Sequence, residues 1–218
     1  MKKLIVLLVA IGLPVSGYAG GGSNEHVVHA PINMDDKASL QKGAQIFVNN
    51  CLGCHSAQYM RYERVSDDLE IPADIMLDNL VFTTDKIGDV MISSIPKDLA
   101  KKWFGTAPPD LTLEARIRGA DWLYSYLISF YEDESRPWGV NNHVFKDVGM
   151  PHVLQNMQDS MSEKDFNTNM ADLTNYMVYM AEPIRAERER LGYWVIGFLI
   201  ILLIPVYMLN REYWKDVH

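Results

Sequence analysis

The hydrophobic pattern divides the chain into two apolar ends and a helical middle. Leu4 to Val15 is an apolar stretch preceded by Lys2 and Lys3. It is too short to cross a bilayer, and Gly17-Tyr18-Ala19 follows with small residues at the positions a signal peptidase reads. Residues 1–19 are therefore expected to be a cleaved secretory signal. At the other end, no charged residue occurs between Arg190 and Arg211. A helix across that gap is ~30 Å long, the thickness of a bilayer's hydrocarbon core. Its ends carry Tyr193, Trp194, Tyr207, Tyr213 and Trp214, rings that prefer the headgroup level, and Pro205 is tolerable near one end. The pattern predicts a transmembrane anchor over 189–210 and a short tail over 211–218.

Residues 20–188 are enough for one domain. Asp35 or Asp36 can cap a helix starting near Lys37, with Leu40, Ala44 and Phe47 on one face running towards Cys51. Gly43 lies on the same face and permits a close helix crossing. A second amphipathic helix begins near Ser162, where Asp165 completes a capping-box pattern, and Leu173, Tyr176, Met177 and Met180 form its apolar face. Alternation is thin and confined to Leu80 to Thr84, so little sheet is expected. There is no internal repeat, and Gly20-Gly21-Gly22-Ser23 is the one low-complexity stretch.

Charge changes the picture modestly. The formal charge is −8, and loss of Lys2 and Lys3 with the signal leaves −10. That argues against nucleic acid and for a basic partner, with Asp67, Asp68 and Glu70 as a candidate docking patch. Export places the domain in an oxidising compartment, the periplasm in a bacterium. With an exported N-terminus, a single stop-transfer helix leaves the tail in the cytoplasm.

The candidate chemistry rests on the chain's two cysteines, in Cys51-Leu52-Gly53-Cys54-His55. Such a pair can be a redox dithiol, half of a zinc site, or a c-type haem attachment. The adjacent histidine favours haem, since two thiols at this spacing reach the two vinyl groups of one porphyrin and the imidazole reaches its iron. Zinc would need a second ligand pair, and no other cysteine exists. His55 then supplies one axial position. The other is usually Met or His for electron transfer and open for ligand chemistry. Most of the 12 methionines read as core. Met150 stands in an irregular loop between Gly149 and Pro151, and His143 and His152 share its polar segment, so all three are candidates.

Several segments together resemble the cytochrome c1 family, the haem subunit of the cytochrome bc1 complex (quinol:cytochrome c oxidoreductase, complex III). They are Gln41-Lys42-Gly43 through Cys51-Leu52-Gly53-Cys54-His55-Ser56, Ala107-Pro108-Pro109-Asp110-Leu111, Arg116-Ile117-Arg118-Gly119, Gly149-Met150-Pro151, and Ala181-Glu182-Pro183 before the single C-terminal span. The resemblance implies a mainly α fold, a cytochrome c-type haem domain with long loops and one transmembrane helix. It implies one covalent haem c, with Cys51 and Cys54 as thioether donors and His55 and Met150 as iron ligands. Arg118 would pair with a propionate, with Arg116 as the neighbouring alternative.

The implied partners are cytochrome b, the Rieske iron–sulfur protein as electron donor, a cytochrome c as acceptor, and membrane lipid. The implied location is the inner membrane, single-pass, with the haem domain in the periplasm. No substrate bond is expected to be made by the isolated chain, and the enzyme is the complex. Ser66 to Trp103 matches the family loosely, and the cysteine pair that forms a disulfide in some members is absent. A stand-alone anchored shuttle to a terminal oxidase and a haem sensor with an open sixth position are the other classes. The Pro-Pro-Asp-Leu and Arg118 segments speak against the first, Met150 against the second.

Overall fold

A computed structural model describes residues 25–215. The expected signal, residues 1–19, and the last three residues of the tail lie outside the described residues. Two helices form the centre. Helix α1 (Lys37–Asn50) starts at Asp36, whose carboxylate accepts the Ser39 amide at 3.1 Å. Ten further elements lead on to the second central helix, the first seven being β1 (Ala57–Arg61), α2 (Tyr62–Asp68), α3 (Ala73–Leu80), β2 (Val90–Met91), α4 (Lys97–Phe104), α5 (Glu114–Arg118) and α6 (Ala120–Ile128). Next come β3 (Phe130–Glu132), β4 (Val140–Asn142), α7 (Gln155–Ser160) and then α8 (Glu163–Ala181). The hydroxyl of Ser162 caps α8 by accepting the Asp165 amide at 3.2 Å and donates to the Asp165 carboxylate at 2.7 Å. This satisfies amides that a helix start leaves orphaned.

Helices α1 and α8 cross against each other through their apolar faces. Leu40, Ala44 and Phe47 of α1 and Leu173, Tyr176, Met177 and Met180 of α8 are all buried in one core. Gly43 sits at the crossing, where a Cβ would lie 2.1 Å from the Asp172 carbonyl oxygen. Only a hydrogen in place of a side chain lets the two backbones approach this closely. Helices α5 and α6 also pack against α8.

The sheet content is small but does not fall at Leu80 to Thr84. Leu80 ends α3, and residues 81–84 are loop. A strand needs a backbone ladder, and here the Thr83 hydroxyl bonds Tyr62 Oη at 2.9 Å while the Thr84 hydroxyl donates to Asp89 at 2.5 Å. The strands are two short antiparallel pairs, β1 with β2 and β3 with β4. The loosely matched stretch 66–103 is tied to the cysteine motif, since Ser93 Oγ donates to the Gly53 carbonyl at 2.7 Å and its amide donates to Ser56 Oγ at 3.0 Å.

Helix α9 (Arg185–Tyr213) is longer than the span it contains and buries no residue. Its Leu, Ile and aromatic side chains lie open, and no part of the described chain covers them. An apolar surface of this extent is compatible with a bilayer and not with water.

Candidate functional site

The C-terminal end of α1 delivers the cysteine motif. Cys51 is the helix's C-cap, its amide bonded to Phe47 O at 2.8 Å. One tight turn follows, with the amides of Cys54 and His55 donating to the Cys51 carbonyl at 3.1 and 2.9 Å. Cys51, Cys54 and His55 therefore line the same cavity, of about 370 Å³. That is within the usual size range of cofactor sites.

The Pro-Pro-Asp-Leu segment forms a second wall. His55 Nδ1 lies 2.7 Å from the Pro109 carbonyl, so that nitrogen donates and Nε2 keeps its lone pair for a metal. Burial is the main cause holding the His55 pKa below its ordinary value, which favours the neutral ring. Asp110 locks the wall: its carboxylate accepts the amides of Gln58 at 2.8 Å and Thr112 at 3.0 Å, and the Leu111 amide reaches Ser56 O at 2.9 Å.

The Cys51 thiol does not suit dithiol exchange. Burial, and secondarily Cys54, pushes the Cys51 thiol up to about 12. Exchange requires a thiolate, which a reactive site stabilises by lowering this value. Zinc fares no better, because among the described residues no group of three His, Cys, Asp or Glu could hold a metal ion. A neutral thioether, by contrast, is at home in a buried apolar wall. Trp122, Leu123, Tyr126, Leu127 and Val148 add to that wall, as a flat macrocycle requires. The donor set and the lining together fit a c-type haem.

Of the candidate sixth ligands, Met150 alone lines the cavity. The Tyr126 hydroxyl donates to its sulfur at 3.5 Å, and burial keeps that phenol neutral. His152 Nε2 is instead 2.7 Å from Gln158 Oε1, and its ring stacks on Phe130 at 4.6 Å. His143 stacks on Tyr131 at 4.3 Å. Met177, read as core from its helical spacing, is buried as expected but also reaches the cavity.

The two arginines diverge. Arg118 lines the cavity, its guanidinium 4.6 Å from the Trp122 ring centre and its Nε 3.5 Å from Glu114. Arg116 points to Glu182 at 3.5 Å. Sequence reasoning did not find Trp122 and Tyr126; their i, i+4 spacing puts both on one face of α6, where the rings stack at 5.2 Å. The acidic run named as a candidate docking patch is partly paired. Asp68 accepts from Tyr179 Oη at 2.8 Å and pairs with Arg64, and Glu70 pairs with Lys37, so two of its three charges are already countered.

The comparisons agree with this geometry. A chain named cytochrome c1 from Allochromatium vinosum is 43% identical over 245 aligned residues that cover all of both chains. A protein named ammonia monooxygenase gamma subunit, from Nitrosomonas europaea, is 40% identical over 235 residues, again covering all of both. A chain in a solved structure titled hyperthermophilic respiratory Complex III is similar at a TM-score of 0.47 and 17% identity across 100% of each chain, a likeness too slight to build on. The model of the Cytochrome C1 family matches residues 27–217, and the chain belongs to that family.

Proposed function

We propose that this chain is the electron-output subunit of a bc1 complex, taking electrons from a Rieske iron–sulfur protein and passing them to a cytochrome c. Membership of the cytochrome c1 family brings a covalent haem c and a place as the electron-transfer redox subunit of that complex. The single observation that carries the finer reading is the cavity that joins Cys51, Cys54 and His55 to Met150. In this reading the two cysteines hold the macrocycle, His55 and Met150 hold its iron, and Arg118 faces a propionate.

Bound there, the haem supplies a one-electron couple. The chain's own residues set its environment. The Pro109 carbonyl fixes the His55 ring, the Tyr126 hydroxyl orients the Met150 sulfur, and the aromatic wall excludes water. A propionate beside Arg118 gains a charge-assisted hydrogen bond in surroundings where an unpaired carboxylate is costly. In this reading helix α9 would anchor the domain beside the membrane subunit, taken to be cytochrome b, and its length and apolar composition support that role.

Solubilised in mild detergent, the chain is expected to bring down cytochrome b and the Rieske protein together. Recovery of the haem protein alone supports a stand-alone shuttle instead. The same experiment separates this reading from the name carried by the Nitrosomonas relative, because a monooxygenase would bring different partner chains. Orientation has its own test. Protease added outside spheroplasts should digest the haem domain and spare a tag placed after His218. Loss of the tag reverses the topology proposed here, with domain in the periplasm and tail in the cytoplasm.

A further inference from the structure

The loop carrying Met150 has no covalent brace, because the chain's two cysteines both belong to the attachment motif. Its position comes from noncovalent contacts, and these converge on the β3–β4 hairpin outside the cavity. β4 ends in two buried asparagines, Asn141 and Asn142. Asn142 Oδ1 accepts the amides of Val144 at 2.9 Å and Phe145 at 3.0 Å, while its Nδ2 donates to the Tyr126 carbonyl at 2.8 Å. Asn141 Oδ1 accepts the Asp147 amide at 2.9 Å. These bonds start the loop.

Arg136 finishes it. Its side chain is 25% exposed, and Nη1 donates to the Asp147 carboxylate at 3.2 Å. Nη2 donates to the main-chain carbonyls of Asp147 at 2.8 Å and Val148 at 3.3 Å. Asp147 has φ 63°, a left-handed backbone that few residues other than glycine, asparagine and aspartate adopt readily and that its surroundings here support. Arg136 Nε is buried with no hydrogen-bond partner among the described residues. The guanidinium is thus seated for the loop rather than for its own full satisfaction. Just beyond the reversal, Val148 is buried against Phe130 and Val140, and Met150 packs on that same small cluster. The arginine is itself held in the hairpin turn, its amide on Asp133 O and its carbonyl taking the Gly139 amide, both at 3.0 Å.

We propose that Arg136 is a positioning residue for the sixth ligand: its grip on the successive carbonyls of Asp147 and Val148 holds the Met150 sulfur in the cavity and keeps it from leaving the iron. The inference rests on the reading of Met150 as that ligand. A thioether arm exchanges between bound and released positions, and whatever restricts the loop shifts that population towards bound. A planar fork can span two carbonyls and a carboxylate, which a lysine ammonium on a flexible stem does not.

The test uses the full-length, haem-loaded protein in mild detergent, comparing Arg136→Gln, Arg136→Lys and Met150→Leu with the parent. Three quantities are read: carbon monoxide binding to the reduced protein, midpoint potential, and hydrogen exchange of the loop amides. For Arg136→Gln, the released population and the exchange of the Val144, Phe145 and Asp147 amides should each rise roughly tenfold, the loss of about one net hydrogen bond. Amides of α1 and α8 should be unchanged, a pattern that general destabilisation does not produce. Arg136→Lys should fall between Arg136→Gln and the parent. If Arg136→Gln refuses carbon monoxide and keeps the parent potential while Met150→Leu loses both properties, the positioning role is overturned and the ligand reading stands. If Met150→Leu also refuses carbon monoxide, the ligand reading itself has failed and takes the proposal with it. Should Arg136→Gln not accumulate, Arg136→Lys decides: parent-like exchange and refusal of carbon monoxide overturn the proposal.

Discussion

Met150→Leu is expected to leave the haem attached through Cys51 and Cys54 while lowering its midpoint potential by on the order of 200 mV. Leucine fills nearly the same volume, so the cavity should not collapse. What is lost is a soft thioether, which favours reduced iron, and axial ligand choice moves haem potentials over about 0.8 V. For a one-electron couple about 59 mV is a factor of ten, so the equilibrium for reduction falls by roughly three decades. The cofactor should remain visible by its absorbance but be poorly reduced by quinol through the complex. It should also bind carbon monoxide, because a vacated position accepts exogenous ligands. His143→Ala and His152→Ala should do neither, since their rings are engaged by Tyr131 and by Phe130 and Gln158. A Met150→Leu protein with the parent potential and no carbon monoxide binding would mean another ligand. Met177, which shares the cavity, is then the next position to change.

Gly43→Ala should be among the most damaging single-methyl additions in the domain. In an isolated helix the change is favourable by about 1 kcal/mol. Here the new Cβ would stand 2.1 Å from the Asp172 carbonyl oxygen and 2.6 Å from Tyr176 Cβ, and neither can swing aside as a side-chain tip could. Helices α1 and α8 must separate, loosening Phe47 against Tyr176, whose rings are 5.6 Å apart in the core. Overpacking of this kind costs ~1–3 kcal/mol and occasionally more, and a backbone clash belongs at the upper end. Because α1 ends at Cys51, the haem content of the purified protein should fall as well. Thermal unfolding in detergent, followed by haem absorbance, reads the effect. Gly88→Ala is the control, since it lies outside the haem motif and a Cβ there meets only the Glu63 carboxylate, at 3.9 Å, and should change stability little. Equal melting of Gly43→Ala and the parent would remove the tight crossing from this account.

The parts of the protein legible in the sequence share a physical character: each depends on residues close together along the chain. Asp36 and Ser162 cap helices by reaching amides three residues ahead. The Cys51, Cys54 and His55 constellation is a single turn. The span between Arg190 and Arg211 is a length matched to a bilayer, and needs no knowledge of the rest of the fold. Gly43 is readable as a close approach from its face, although the local pattern does not say which helix it meets.

Tertiary structure decided what depends on distant partners. Arg116 and Arg118 are two residues apart in a short helix, yet one faces Glu182 and the other the cavity. Met150, His143 and His152 share one polar segment, and the separation among them comes from Tyr126, Tyr131 and Gln158. Asp68 and Glu70 read as open charge until Tyr179 and Lys37 are brought to them by folding. Leu80 to Thr84 alternate like a strand, but the chain offers them side-chain partners rather than a backbone edge. Helix caps, the one-turn cysteine motif and the apolar length were therefore determined by the sequence itself, because local geometry allows them few outcomes. That Met150 and Arg118 reach the cavity, and that Arg136 grips the Asp147 carbonyl, was decided only in three dimensions, because each is a contact between elements whose meeting the local pattern does not encode.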